Sequence, residues 1–273
     1  MSYQCPLCQT PLALSHRTWR CINNHSFDIA KDDYVNLMPV QHKHSKEPGD
    51  NQDMMQARRH FLDAGYYQPL RDAVYDLFQQ HISINTAALL DIGCGEGYYT
   101  GGIMQYLKPS CPDLMVYGLD IAKGAVRSAA KRYKETHFCV ASSYRLPFTD
   151  HSLDGALRIY APCQDTELAR VIKSSGILIT VTPAPHHLEQ LKALIYPNVK
   201  LHSEAIEQIA RFTLQKQQRL SYQMALDCEQ RLNLLKMTPF AWRANEEVIQ
   251  KLIELTDFIC DADFYICLYQ KDQ

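Results

Sequence analysis

The sequence lacks both a long apolar run and an excess of charge of either sign. No stretch approaches the roughly 18 continuous apolar residues that a membrane helix needs, and the net charge is −2. Because no basic segment followed by an apolar core opens the chain, we expect no signal peptide, a cytoplasmic location and no membrane partner. Repeats and low-complexity segments are also absent, which predicts one large globular domain or two.

The ten cysteines are not spaced like those of a disulfide-stabilised protein. Three of them crowd the first 21 residues, and the other seven are scattered singly through apolar contexts. This distribution is typical of a reducing compartment, and it predicts one metal site together with several buried thiols.

The early cysteines and a histidine have the spacing of a tetrahedral metal site. Cys5 and Cys8 form a C-x2-C pair, and Cys21 and His25 form a C-x3-H pair after a gap of twelve residues. Four protein ligands leave no open position, so we predict one structural Zn²⁺ rather than a catalytic metal. His16 is the alternative fourth ligand. A domain of this size needs the ion for its folding.

The segment between the two metal-binding pairs carries an aromatic residue among cations. Arg17, Trp19 and Arg20 lie there, with no acid before Asp28. Trp19 either stacks on an unpaired base while the arginines meet phosphates, or packs as the small core of the metal domain. The sequence leaves both interpretations open.

A glycine-rich turn is the main functional signal of the chain. An apolar strand ends in Asp91, Gly93, Gly95 and Gly97 follow, and a helix is predicted over Tyr98–Leu107. Glycines let backbone N–H groups approach a ligand closely. The D-x-G-x-G-x-G pattern differs from the dinucleotide fingerprint, and Asp91 repels a pyrophosphate but suits an ammonium group. The turn therefore predicts S-adenosylmethionine and resembles motif I of class I methyltransferases.

A second apolar strand also ends in an acid. Asp120 closes the strand Met115–Asp120, 25 residues beyond Gly95. An acid at this place accepts hydrogen bonds from the ribose hydroxyls of a bound nucleoside. The alternative is that Asp120 caps the helix that begins near Lys123.

Four further positions are candidates for the walls of the site. Tyr67 is a candidate cofactor wall because an aromatic face attracts a sulfonium, with core packing as the alternative. Ser142 follows the third strand, where the methyltransferase pattern places the adenine. Arg158 and Tyr160 end the fourth strand, whose carboxyl end faces the reaction centre, so we expect them to hold the acceptor base.

The alternation of strands and helices through residue 182 predicts an α/β fold with a doubly wound parallel sheet. Two long alternating runs at 212–225 and 257–269 predict an antiparallel carboxyl-terminal edge, as in a class I (Rossmann-like) methyltransferase sheet. We therefore expect a zinc-binding domain at 1–37, a linker at 38–53 and an S-adenosylmethionine-dependent methyltransferase domain at 54–273.

Taken together, the motifs resemble those of bacterial 23S rRNA guanine-N1-methyltransferases over essentially the whole chain, most closely the Gram-negative housekeeping type. The motifs that recur are the metal-binding pairs and the segments 34–37, 41–43, 48–50, 55–59, 91–100, 158–163 and 237–242. The resemblance implies methyl transfer to N1 of a hairpin-loop guanine in 23S rRNA, a zinc ribbon for RNA recognition and a homodimer. It also implies that Tyr67, Tyr99, Thr100 and His187 contact the cofactor.

Three alternatives stay open at this point. In the first, the methylated target is a neighbouring guanine whose methylation confers macrolide resistance. In the second, the target is a small molecule or a protein, and the zinc ribbon binds proteins. In the third, the chain is a binding protein without activity.

No residue is identified as the base for guanine N1. Lys43, Lys46, Arg58 and Arg59 are the nearest basic cluster, and we expect charge reversal at Arg58 and Arg59 to weaken RNA binding while leaving cofactor affinity unchanged.

Overall fold

The computed structural model describes residues 3–39, 41, 51–83 and 87–273. Within these ranges no helix combines the length and the apolar character needed to cross a membrane. Lys43 and Lys46, from the predicted basic cluster, lie outside the described residues.

The amino-terminal segment forms a small antiparallel sheet. Its three strands are β1 (Ala13–Ser15), β2 (Thr18–Arg20) and β3 (Ser26–Asp28), in the order β1-β2-β3. His16 occupies the turn between β1 and β2 with φ 54°. A hairpin of β1 and β2 therefore lies between the two metal-binding pairs, and β3 extends it by a third strand.

A second, eight-stranded sheet forms the body of the protein. Its strands are β4 (Tyr34–Asn36), β5 (Ala88–Ile92), β6 (Met115–Asp120), β7 (His137–Val140), β8 (Leu153–Ile159), β9 (Ile172–Pro183), β10 (Phe212–Ala225) and β11 (Ile259–Lys271). Their order is β10-β11-β9-β8-β5-β6-β7-β4. The strands from β9 to β4 are parallel, and β11 pairs antiparallel with both β9 and β10. This confirms the predicted mostly parallel sheet with an antiparallel carboxyl-terminal edge.

Eight helices cover the two faces of the described sheet. They are α1 (Gln52–Asp63), α2 (Gln68–His81), α3 (Tyr98–Leu107), α4 (Lys123–Arg132), α5 (Asp165–Val171), α6 (Glu189–Ile195), α7 (Cys228–Lys236) and α8 (Glu246–Glu254), with a 3-10 helix at Pro239–Trp242. Helix α1 begins two residues before the predicted domain boundary at residue 54, because the Asn51 side chain accepts a hydrogen bond from the Met54 N–H and caps it. Residues 52 and 53 of the predicted linker are thus helical.

The central strand β5 is buried on both faces, as its continuous apolar sequence indicates. Leu89 packs with Phe78 of α2 on one side of the sheet. Leu90 points to the other side, where it packs in a cluster with Tyr117 and Phe148. This alternation follows from the two-residue period of a strand.

The amino-terminal module is joined to the main sheet rather than separated from it. Strand β4, which the sequence assigned to the zinc-binding domain, pairs in parallel with β7 and forms an edge of the main sheet. Tyr3 is buried, with its ring centroid 5.8 Å from that of Tyr117 and 5.4 Å from that of Phe148. The Gln4 N–H donates to the Pro147 carbonyl over 2.9 Å. Strand β4 has only three residues and is not part of a strand–helix–strand repeat. The sequence therefore does not predict that it pairs with β7.

Trp19 takes part in the same contact. Its ring meets that of Tyr3 edge-on, with centroids 5.1 Å apart. Arg17 donates hydrogen bonds to the Ala30 carbonyl and to Asp33, both over 2.8 Å. Of the two interpretations of this segment, the geometry therefore favours packing over base stacking for Trp19.

Replacing Tyr3 by alanine tests the docking of the module. Because the change removes a buried aromatic ring from the interface, Tyr3→Ala should lower the free energy of unfolding by about 3 kcal/mol. Urea denaturation followed by circular dichroism measures this quantity. Leu14→Ala is the control, since Leu14 lies in β1 and is exposed. If both substitutions lowered the free energy of unfolding by the same small amount, Tyr3 would not hold the amino-terminal module against the main sheet.

Candidate functional site

Two turns bring the four predicted metal ligands together. The Gln9 N–H donates to the Cys5 carbonyl, and the Asn24 N–H donates to the Cys21 carbonyl. His25 Nδ1 lies 3.5 Å from the Sγ atoms of both Cys5 and Cys21, and the Sγ atoms of Cys8 and Cys21 are 3.6 Å apart. All four ligand atoms lie within 4.8 Å of one another.

This arrangement fits a zinc ion. Tetrahedral zinc with bonds of about 2.3 Å to sulfur and about 2.0 Å to nitrogen holds its ligand atoms roughly 3.5–3.8 Å apart. The observed spacings match these values. His25 Nδ1 is the fourth atom of the cluster, whereas His16 lies in the β1–β2 turn and is not part of it. The four ligands enclose the position, which suits a structural ion.

The glycine turn between β5 and α3 is open where a ligand has to approach. Gly93 and Gly95 have φ values of 74° and 52°. A Cβ placed on Gly93 would lie 2.6 Å from the Cβ of Ala161, so a side chain there would collide with the end of β8. A Cβ placed on Gly95 would meet no atom within 4 Å. Gly95 thus faces free space, where a ligand can contact the backbone directly.

Asp120 holds this turn in place. Its Oδ2 accepts a hydrogen bond from the Gly95 N–H over 2.9 Å, and its Oδ1 accepts one from the Ala122 N–H over 2.8 Å. The residue that caps α4 is Ala122, so the Asp120 carboxylate lies just ahead of the helix instead of capping it. The Asp120 carboxylate thus lies directly beside the open turn at Gly95.

Asp91 is a buried acid with a single hydroxyl partner. The Thr100 hydroxyl donates to Asp91 Oδ2 over 2.6 Å. Burial raises the pKa of Asp91 to about 7, although the Thr100 hydrogen bond acts in the opposite direction. A buried carboxyl poised near neutrality is suited to a cationic ligand, whose charge would favour the ionised form.

An ion pair that the sequence did not reveal braces the same turn. Arg59 of α1 donates from Nε to Oε2 of Glu96 over 2.8 Å and makes a second hydrogen bond to the same carboxylate. Arg59 also donates to the Ser128 hydroxyl of α4, and Arg58 donates to the Met237 carbonyl. Charge reversal at these arginines would therefore disturb the glycine turn. We therefore no longer expect charge reversal at Arg58 and Arg59 to leave cofactor affinity unchanged.

Tyr67 and His187 meet at the ring of Phe264. The Tyr67 ring is buried edge-on to Phe264 with centroids 5.2 Å apart, and the His187 ring lies 4.6 Å from Phe264. Tyr67 is thus packed in the core, as the alternative interpretation holds, and its ring centroid lies 6.3 Å from that of His187. Tyr99 is half-buried in the first turn of α3 beside Tyr98.

The residues predicted to hold the acceptor base differ in their accessibility. Arg158 is buried and forms an ion pair with Glu207, so its guanidinium is engaged within the protein. Tyr160 is 50% exposed, has φ 55°, and lies with its ring centroid 6.2 Å from that of His187. Ser142 accepts a hydrogen bond from the Tyr144 N–H in the loop after β7. Of the predicted pair, Tyr160 is therefore the side chain that is accessible from outside the protein.

An open glycine turn after the central strand β5, with an acid near the end of β5 and another at the end of β6, is that of a class I methyltransferase. A methyltransferase-domain family model matches residues 85–228, and a zinc-ribbon model described as RlmA, N-terminal, matches residues 3–46. The chain belongs to the 23S rRNA (guanine-N1)-methyltransferase family, which confirms the resemblance found in the sequence.

Two relatives illustrate this membership, and one solved structure is similar to part of the chain. The 23S rRNA (guanine(748)-N(1))-methyltransferase of Streptomyces fradiae is 32% identical over 259 residues, covering 92% of this chain and 90% of the relative. YxjB of Bacillus subtilis (strain 168), assigned to the same enzyme class, is 30% identical over 277 residues, covering 97% and 96%. The YcgJ structure from Bacillus subtilis aligns with a TM-score of 0.46 at 17% identity, covering 72% of this chain and 97% of that one.

The raised pKa of Asp91 predicts a stability that depends on pH. The pKa is about 7 in the folded protein against an ordinary 3.8. The carboxyl therefore costs no stability below pH 3.8 and becomes progressively destabilising as the pH rises to about 7. Asp91→Asn keeps an acceptor for Thr100 but cannot ionise. It should raise the free energy of unfolding at pH 8, by at most about 4 kcal/mol, and much less at pH 5.

Urea denaturation at pH 5 and pH 8 measures the effect. Asp113→Asn, at an exposed acid, is the control and should change stability little at either pH. A gain for Asp91→Asn that is the same at both pH values would mean that the carboxyl is not destabilised by burial.

Proposed function

We propose that this protein transfers the methyl group of S-adenosylmethionine to N1 of a guanine in a hairpin loop of 23S ribosomal RNA. The observation that carries the proposal is the match, over nearly the full length of both chains, to the Streptomyces fradiae enzyme named for this activity. The open turn at Gly95 supports it, because that turn offers backbone to a ligand.

In this proposal the predicted cofactor residues surround the methyl donor. Gly93 and Gly95 let it approach the backbone, Asp91 faces its ammonium group and Asp120 accepts from its ribose hydroxyls. The remaining proposed contacts are Tyr67, Tyr99, Thr100, Ser142 and His187. The burial and raised pKa of Asp91 support a cationic partner, and the hydrogen bond from the Gly95 N–H to the Asp120 carboxylate supports a place for Asp120 beside the ligand.

The acceptor fits this site by its chemistry. A guanine in an unpaired loop presents its Watson–Crick edge without the cost of opening a duplex. S-adenosylmethionine is already an activated methyl donor, so much of the rate enhancement comes from aligning N1 with the methyl carbon. The N1 proton has to be taken up during transfer. Tyr160 and Arg158 are proposed to hold the base, with the Arg158 guanidinium paired to Glu207.

The remaining parts of the proposal concern the metal, the assembly and the target. One Zn²⁺ is proposed at Cys5, Cys8, Cys21 and His25, in a ribbon that recognises RNA. A homodimer in the cytoplasm follows from the family resemblance. The name of the Streptomyces fradiae relative specifies guanine 748, and mapping the modified position distinguishes that guanine from a neighbouring one.

Methylation of a 23S rRNA transcript by the purified protein tests the proposal. With labelled S-adenosylmethionine, the wild-type protein should label the RNA and create a reverse-transcription stop at one hairpin-loop guanine. Gly95→Ala should reduce cofactor affinity and labelling at least about tenfold, because its methyl group enters the space of the ligand at a positive φ. Gly124→Ala, in α4, adds a methyl with ordinary contacts and should leave both unchanged. Labelling of protein or metabolites with the transcript unlabelled would favour the alternative substrates.

Metal analysis tests the zinc site. Freshly purified, untagged protein should hold about one zinc per chain. Cys21→Ser should lose it, because a four-ligand site depends on every thiolate. Cys228→Ser, at the start of α7, is the matched control and should retain the metal. A wild-type metal ratio near zero would refute the assignment.

A further inference from the structure

Three basic side chains form a connected group near the carboxyl end of β9, and one of them, His187, lies beside Tyr160. His187 lies in the loop between β9 and α6, Lys192 lies in α6, and His202 lies in the irregular segment that follows α6. The His187 ring centroid lies 6.2 Å from that of Tyr160 and 6.3 Å from that of His202. The His202 N–H donates to the Pro185 carbonyl over 3.2 Å, which fixes this segment against the loop.

Two polar atoms of this group are buried without a hydrogen-bond partner among the described residues. They are Nζ of Lys192, whose side chain is almost fully enclosed, and Nε2 of His202. Leaving a buried donor or acceptor unpaired costs about 1–3 kcal/mol. Such atoms are therefore rare in folded proteins, and next to an open site they indicate a place where a substrate supplies the partner.

His187 is unsuited to take a proton. Its Nδ1 accepts a hydrogen bond from the Asp263 N–H over 3.3 Å, so Nε2 carries the ring proton. Burial lowers the pKa of His187 to about 3, so the ring is neutral at pH 7. In this tautomer Nε2 is a hydrogen-bond donor, which suits a carbonyl oxygen such as guanine O6.

Asp263 is also excluded as a base. Both of its carboxylate oxygens accept hydrogen bonds from Arg219, each over 2.8 Å, and one accepts from the His186 N–H. Burial raises the pKa of Asp263, but the bonds from Arg219 outweigh this effect and the pKa lies below its ordinary value. This carboxylate therefore holds the loop that carries His187.

His202 has the properties that the other two lack. The titratable groups that face it are His187 from the loop and Lys192 from α6. Burial, and next the charge of Lys192, lower the pKa of His202, so its imidazole is neutral at pH 7. Its Nε2 is unpaired among the described residues, which leaves it free to accept a proton.

We propose that His202 takes the N1 proton of the acceptor guanine during methyl transfer. This inference rests on the proposed function. The N1–H bond breaks and its proton passes to Nε2 of His202, while the N1 electron pair forms the bond to the methyl carbon. The methyl–sulfur bond breaks with its electron pair on sulfur, giving S-adenosylhomocysteine, and the imidazolium afterwards releases its proton to water. His187 is a positioning residue that donates to guanine O6.

Single-turnover methylation of the 23S rRNA transcript between pH 5.5 and 9 tests this role, with cofactor and RNA saturating. The wild-type rate should be level above pH 7, because His202 is already unprotonated there. His202→Gln should lower the rate at pH 7 about 10²–10⁴-fold and make it rise with pH up to pH 9. Added imidazole should restore part of the rate of His202→Ala. Affinities for cofactor and RNA should stay within twofold in both variants.

His186→Ala is the matched control, because the His186 side chain lies in the same loop but is exposed. It should keep the wild-type rate and pH profile. A wild-type rate and profile in His202→Gln would overturn the inference while the proposed function stands. A loss of rate with lost RNA affinity and no rescue by imidazole would assign His202 a structural role, and this also overturns it. If the wild-type protein leaves the transcript unmethylated, the proposed function fails and the inference with it.

Discussion

The hydrogen bond from the Gly95 N–H to the Asp120 carboxylate is the contact on which the candidate site depends. It joins the end of β6 to the turn that follows β5, and it holds Gly95 in a conformation with positive φ. On the opposite side Glu96 is held by Arg59 of α1. The turn is thus braced from both sides through its backbone and its acid, and no side chain is needed to fill the space in front of Gly95.

The docking of the amino-terminal module extends the same sheet. Strand β4 pairs with β7, and Tyr3 packs against Phe148 in the loop region that follows β7. Ser142 belongs to that same loop. The module that is proposed to hold a structural zinc ion is therefore in direct contact with the part of the main domain proposed to border the adenine. Loss of the ion would also disturb the main domain, because Tyr3 would no longer be held in its position against Phe148.

The parts of the structure that repeat a local pattern were predictable from the sequence. Helix α3 and strand β10 have the bounds that periodicity indicates, and the spacing of the two Cys/His pairs predicts the cluster that these four side chains form. The parts that depend on pairing between distant residues were not. Arg59 and Glu96 are 37 residues apart in the sequence. Considered separately, each would be predicted to be a charged side chain exposed to solvent. His202 lies in a segment without regular structure, where no periodicity indicates which side chains point inward.

Asp91, His187 and His202 show how burial sets the protonation state of the groups at the candidate site. Burial disfavours the charged form of any group, so it raises the pKa of the acid to about 7 and lowers that of His187 to about 3. The pKa of His202 is lowered for the same reason. Near pH 7 the histidines are thus uncharged, and the acid is balanced between its two forms. A cationic donor shifts that balance toward the carboxylate, and the neutral imidazole can accept a proton. The same burial raises the pKa of the acid and lowers the pKa of the histidines, so these groups can take opposite roles. The burial of the site thus sets the charge state of each side chain.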